Sequence, residues 1–264
     1  MDPGLFIGIA VALGAVITGN IIEGGHIGSL IGGPAALIVI GGTIGAVIVQ
    51  FPLAMCGAAL KTAVKLIKKT NRDATKLLEE IVDYAQRARK DGILALEKVA
   101  TAASDPLLAK GLLMAVDGSD SNAIRSTLEL LITQEEEHNE NSAKVFEAAG
   151  GYSPTVGIIG AVLGLIHVMS NLSDIAAVGA GIAAAFVATI YGVAVANILF
   201  LPIAGRIKMC HHEEVRTQEL IVAGVLAIQE GLNPKVVRER LAAYVTDHGS
   251  KGVASGASPE RAPA

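Results

Sequence analysis

Hydrophobic residues follow two patterns along this chain. In four stretches, about 4–22, 33–56, 153–172 and 177–204, they run almost uninterrupted. A helix needs roughly 20 such residues to cross the hydrocarbon core of a bilayer, so each stretch predicts a membrane span. Elsewhere they recur at helical spacing among polar residues, as in Leu77, Leu78, Ile81, Val82 and Ala85, and in Leu128, Leu131 and Ile132. That spacing predicts amphipathic helices gathered in a bundle. Asp105-Pro106 and Asn233-Pro234 each supply a helix N-cap followed by a proline at the first helical position, and the second opens a helix over 235–247. The patterns over 53–69 and 204–230 follow spans 2 and 4 directly, which predicts helices that leave the membrane without a break.

The fold class expected is an all-α membrane protein with four transmembrane helices and a cytoplasmic helical bundle between helices 2 and 3. Residues 1–56 hold spans 1 and 2, 57–152 the cytoplasmic domain, 153–204 spans 3 and 4, and 205–248 C-terminal cytoplasmic helices. The tail 249–264 is small, polar and proline-containing, a composition that predicts disorder. The first 22 residues lack the basic start and the cleavage site of a signal peptide, so they read as a retained span.

Charge fixes the orientation. All 21 Lys and Arg residues lie between Lys61 and Lys144 or between Arg206 and Arg261, and none lies in 1–60 or 145–205. Basic residues in short loops stay on the cytoplasmic side, which predicts a multi-pass membrane protein with both termini inside. The loop holding Glu23 and His26 and the loop around Asp174 then lie outside. Hydrophobic residues make up 52% of the chain and mean hydropathy is +0.53, too apolar for an ordinary soluble domain and suited to contact with lipid. A net charge of −4 without a basic, aromatic-rich patch argues against a nucleic-acid partner.

The candidate chemistry is sparse. The chain has no nucleophile, metallo-hydrolase or phosphate-binding motif, and nothing marks it as an enzyme. Cys56 and Cys210 have no ligand spacing and read as small apolar fillers, and adjacent His211 and His212 point to different helix faces. No Asp, Glu, Lys or Arg lies within the core of any span. Hydroxyls and amides remain there, and these cannot carry a proton by titrating near neutral pH. If ions cross, the carboxylate that carries them comes from a partner helix. Ser153-Pro154 has the form of a helix start, Pro202 that of a simple kink, and Thr189 can bond its own backbone four residues back. Gly157, Gly160 and Gly164 line one face of span 3, and Gly41 and Gly45 repeat the spacing in span 2. So many close-approach faces suggest an oligomer. In the cytoplasmic part, Arg87, Arg89, Lys90, Asp91 and Glu97 form a dense mixed-charge cluster, and Arg89 and Glu97, two turns apart, can share one exposed helix face.

At these residues the chain resembles the MotA/PomA flagellar stator subunits within the MotA/TolQ/ExbB family, and most closely the short members described as MotC-like or PomA-like. ARKDGILALE (88–97), SPTVGIIGAVLGLIHVM (153–169) and AAAFVATIYGVAVANILFLPIA (183–204) carry the likeness, with EGG (23–25), GPAALIVIGGT (34–43) and GVLAIQEGLNP (224–234) beside them. The resemblance implies the A subunit of a stator that couples inward ion flow to rotation. It implies a pentameric homo-oligomer around a MotB/PomB-like B subunit, which supplies the transmembrane Asp. It further implies that Pro154, Thr155, Ala161, Thr189 and Pro202 belong to the ion pathway and its coupling. By the same resemblance Arg89, Lys90 and Glu97 engage the rotor protein FliG.

Sodium-driven relatives carry hydroxyls where this chain has Ala161 and Ala188, and Na⁺ needs oxygen ligands whereas protonation does not. The expected coupling ion is therefore H⁺ rather than Na⁺, with no other cofactor. Some relatives have an acidic residue where this chain has Gly151, and Glu147 is the nearest substitute. An ExbB/TolQ-type energiser of outer-membrane processes is the alternative reading, and a secondary transporter is disfavoured because spans 1–2 do not resemble spans 3–4.

Overall fold

The computed structural model describes residues 4–68, 73–170 and 175–245. The loop around Asp174 and the tail 249–264 lie outside them. Among the described residues there is no strand. Four helices are long and apolar enough to cross a membrane, falling within Gly4–Ile22, Ile27–Gln50, Ser121–Met169 and Val178–Gln229. The chain divides into two compact units, one made of 1–70 with 137–211, the other of 71–136 with 212–264.

The first unit holds the spans. Helix α1 (Gly4–Ile22) has no buried residue, as suits a helix whose solvent is lipid. After it, Gly24 takes φ 84°, a conformation that costs L residues, and a 3₁₀ turn follows at Ile27–Leu30. Span 2 begins as α2 (Gly33–Ala36) with Pro34 in its first turn. It widens into a π segment at Leu37–Gly41 and continues as α3 (Gly42–Gln50). It does not run on unbroken. Phe51 is extended (φ −121°, ψ 144°), and the chain restarts as α4 (Leu53–Lys68). Pro52 is the reason, because its ring disfavours the α conformation in the residue before it.

The second unit holds the bundle: α5 (Ala74–Asp91), a 3₁₀ turn at Ile93–Leu96, α6 (Glu97–Ala100) and α7 (Pro106–Val116). The 49-residue α8 (Ser121–Met169) contributes to both units. Span 4 starts as α9 (Ile175–Ala194), passes through a π segment at Val195–Phe200, and runs on as α10 (Leu201–Gln229) with the predicted continuity. The last described helix is α11 (Pro234–Val245).

The caps agree with the sequence signals. Asp105 Oδ1 accepts from Leu107 N at 2.7 Å, and Asn233 Oδ1 accepts from Lys235 N at 3.0 Å. The bundle core joins Leu77, Ile81 and Val82 of α5, Leu108 and Leu112 of α7, Leu128 of α8, Leu226 of α10 and Leu241 of α11. A bidentate Arg238–Glu79 ion pair ties α11 to α5. Glu80 accepts from the Tyr84 hydroxyl at 2.8 Å, from Ser104 N at 3.0 Å and from the Ser104 hydroxyl, linking α5 to the turn before α7.

Candidate functional site

Spans 3 and 4 meet through glycine. A Cβ at Gly192 would lie 2.6 Å from the Ser153 carbonyl oxygen, 3.0 Å from Gly157 Cα and 3.2 Å from Pro154 Cα. One at Gly157 would lie 2.9 Å from the Ala188 oxygen, and one at Gly164 would lie 3.1 Å from the Ala185 Cβ. Backbone thus rests on backbone from residue 153 to residue 164, the close approach that small residues permit in lipid. The Ser153 hydroxyl, fully buried, donates to the Gly192 carbonyl at 2.9 Å and locks the register. The Gly157–Gly160–Gly164 face is therefore used within the chain. Gly41 and Gly45 have nothing within 4 Å of an added Cβ.

Pro154 does not start a helix. It sits inside α8, because the helical pattern of the preceding segment continues through it. Lacking an N–H, it cannot close the usual bond to the Gly150 carbonyl, which makes it a weak point in a long rod. Thr155 is exposed, and its hydroxyl donates to the Tyr152 carbonyl at 2.7 Å. Ala161 is half-buried beside Gly160. The half-buried Thr189 hydroxyl donates to the Ala185 carbonyl at 3.4 Å, the local back-bond its spacing allows. Ala188, 2% exposed, faces the pair Gly157 and Gly160, and a Cβ on Gly160 would lie 2.9 Å from its own.

Pro202 stands apart from this contact. Its missing N–H comes just after the π segment Val195–Phe200, in which the backbone bonds are already shifted. Asn197 Nδ2 donates to the Val193 carbonyl at 2.9 Å inside that irregular stretch. With Asn197, Ile198 and Arg206, Pro202 lines a cleft of about 350 Å³ against Gly4, Gly8 and Ala12 of α1. Glu147, the nearest carboxylate below span 3, pairs with Lys208 at 2.6 Å.

Two features of the spans stand outside the residues that the sequence marks for the ion pathway. Tyr191 donates its hydroxyl to the Leu30 carbonyl at 2.7 Å and accepts from Gly32 N at 3.2 Å, fastening the loop between spans 1 and 2 to span 4. Gly192 is the point of closest approach described above. A tyrosine two residues beyond a polar threonine was the available signal for the first; nothing local marks the second.

The charged cluster is not on one helix face. Gly92 (φ 87°, ψ 160°) ends α5, so Arg89 and Lys90 lie in its last turn, while Glu97 opens α6 beyond the 3₁₀ turn. The helix dipole favours basic residues at the first place and an acidic one at the second. All three side chains are exposed, and among the described residues none has an ion pair; Arg87 is bonded to Asp83 at 2.9 Å. Among the described residues no group of three or more His, Cys, Asp or Glu could hold a metal, and neither Cys56 nor Cys210 is in a disulfide.

Residues 99–219 match the profile of the MotA/TolQ/ExbB proton channel family, and residues 6–92 that of the motility protein A N-terminal region. Motility protein A of Bacillus subtilis (strain 168) is 36% identical over 249 residues, covering 93% of this chain and 91% of that protein. The chain belongs to the MotA/TolQ/ExbB family. Within it, the chemotaxis protein PomA of Vibrio alginolyticus is 34% identical over 247 residues, covering 94% and 96%. The structure of the flagellar MotAB stator complex from Bacillus subtilis matches with a TM-score of 0.85 at 35% identity, over 91% of this chain and 94% of that one. That of C. jejuni MotAB matches with a TM-score of 0.89 at 29% identity, over 95% and 98%. A MotA-type chain of this composition is a multi-pass membrane protein, as its four apolar helices require.

Proposed function

We propose that this chain is the A subunit of a flagellar motor stator, converting inward proton flow into rotation that drives the rotor. The carrying observation is a division of labour: the spans hold prolines, a π segment and a hydroxyl, but no Asp or Glu that could take up a proton. The titrating Asp then comes from a MotB/PomB-like B subunit, in keeping with the MotAB complexes that the fold matches. The motility proteins among its relatives favour this over an ExbB/TolQ-type energiser.

Further parts follow from the same reading. Protonation of the partner's Asp is felt at Thr189 and Ala161, and Pro154 and Pro202 are the points where spans 3 and 4 bend in response. One charge falling through 100 mV releases roughly 2.3 kcal/mol, about four times RT, enough to bias such a bend. Gly41 and Gly45 offer a close-approach face to a neighbouring copy in a pentameric ring. Both termini and both basic blocks face the cytoplasm of the inner membrane. Arg89, Lys90 and Glu97, exposed and without an ion pair among the described residues, contact FliG. Ala188, packed against Gly157 and Gly160, offers no side-chain oxygen to a metal ion, which supports H⁺.

The test is motility in a host deprived of its own stators and given this chain with its B subunit. Swimming speed should stay flat as Na⁺ is varied at fixed pH; a steep rise with Na⁺ rejects the proton. Arg89→Glu with Glu97→Lys should abolish swimming while leaving the membrane content of the protein unchanged. Undiminished swimming in that variant removes the rotor contact.

A further inference from the structure

The surface that carries Arg89, Lys90 and Glu97 also holds an apolar side chain that the charges do not explain. Leu94 is 70% exposed, more than any other large apolar residue of the bundle unit among the described residues. Lone surface leucines are ordinary, but this one is held in place. It sits on the 3₁₀ turn Ile93–Leu96, where three residues make one turn, so positions 93 and 96 share a side. Leu96 is fully buried and Ile93 packs on the bundle core. With both neighbours anchored inward, and Ala95 N bonded to the Gly92 carbonyl at 3.1 Å, Leu94 is turned outward on a fixed support. Gly92, at φ 87°, makes the sharp departure from α5 that this requires. Basic side chains precede the leucine and an acidic one follows it.

We propose that Leu94 is the apolar anchor of the rotor-facing surface. Its partner is a protein face with a hydrophobic pocket, flanked by acidic groups opposite Arg89 and Lys90 and by a basic group opposite Glu97. This rests on the rotor reading above and names the chemistry of that contact. Exposed ion pairs contribute little in water. A leucine seated in a pocket excludes water from the centre of the contact, and the charges around it then act in a lower dielectric. Asp91 and Glu97 within the patch disfavour an anionic lipid surface as its occupant.

The experiment uses the full chain with its B subunit in motile cells. Leu94→Gln should cut the affinity for the rotor about tenfold, read as lost swimming, with membrane content unchanged. Leu94→Met, similar in volume, should swim normally, and so should Leu130→Gln, which alters a 57% exposed leucine of the same unit on another helix, α8. A photo-crosslinking residue at position 94 should join the chain to the rotor protein. Normal swimming of Leu94→Gln overturns the anchor, as does a crosslink to lipid or to another stator chain. If the Arg89→Glu, Glu97→Lys pair stops swimming while Leu94→Gln does not, the anchor falls and the rotor reading stands. If neither variant slows the cells and no rotor crosslink forms, both fall.

Discussion

Gly192 shows how much a single missing Cβ can decide. Any side chain there would collide with backbone atoms of Ser153, Pro154 and Gly157, none of which can rotate away. Gly192→Val should therefore part spans 3 and 4 and break the Ser153 hydroxyl bond. It should lower the unfolding midpoint of the purified protein by several degrees, about what 2–3 kcal/mol of overpacking produces, and abolish motility. A midpoint equal to that of the parent chain would mean the contact is looser than its geometry. Sequence alone singled out Pro154, Thr155, Thr189 and Pro202 because unusual residue types announce themselves within apolar runs. It passed over Gly192 because one glycine among 30 looks like any other until its neighbour across the helix pair is known.

At the scale of the element, helices were legible wherever periodicity or a cap pair marked them, and their breaks were not. Pro52 ends span 2 through Phe51, although the apolar pattern runs straight across it. Gly92 divides ARKDGILALE into a helix end, a 3₁₀ turn and a helix start, which is why Arg89 and Glu97 do not share a face. Conversely, Ser153-Pro154 has the form of a helix start but lies inside α8, because the helical pattern before it continues through it. The two π segments have no signature in composition.

The link between α5 and the turn before α7 can be tested through pH. Burial pushes the Glu80 carboxyl up, but the Ser104 hydroxyl and N–H and the Tyr84 hydroxyl outweigh it, leaving the group below its ordinary 4.5. Burial first, then Glu80, pushes the Tyr84 phenol up to about 12. A carboxylate with a lowered folded pKa stabilises the fold above its unfolded value and loses that contribution as pH falls through the folded one. Glu80→Gln should thus lower the unfolding midpoint at neutral pH and flatten its decline over about pH 5 to 3. An unaltered slope in that window would show that the link does not stabilise the bundle.

For the whole molecule, Gly41 and Gly45, one turn apart in the middle of span 2, are left uncovered by the described residues of the chain. Gly45→Leu should leave the unfolding of a single chain unchanged while reducing the assembled species seen by native mass measurement in detergent. Full assembly of that variant would place the neighbouring copy elsewhere. The segregation of basic residues made the four spans and their expected orientation readable from the sequence. The points at which α8 and α10 pass from one compact unit to the other were not readable, because the helical pattern does not change there.

The spans' lack of Asp, Glu, Lys and Arg has a consequence for synthesis. A membrane that receives this chain before its partner gains no carboxylate able to ferry protons inward. On the stator reading, surplus copies of this chain bring no proton-carrying group to the membrane until the partner joins them.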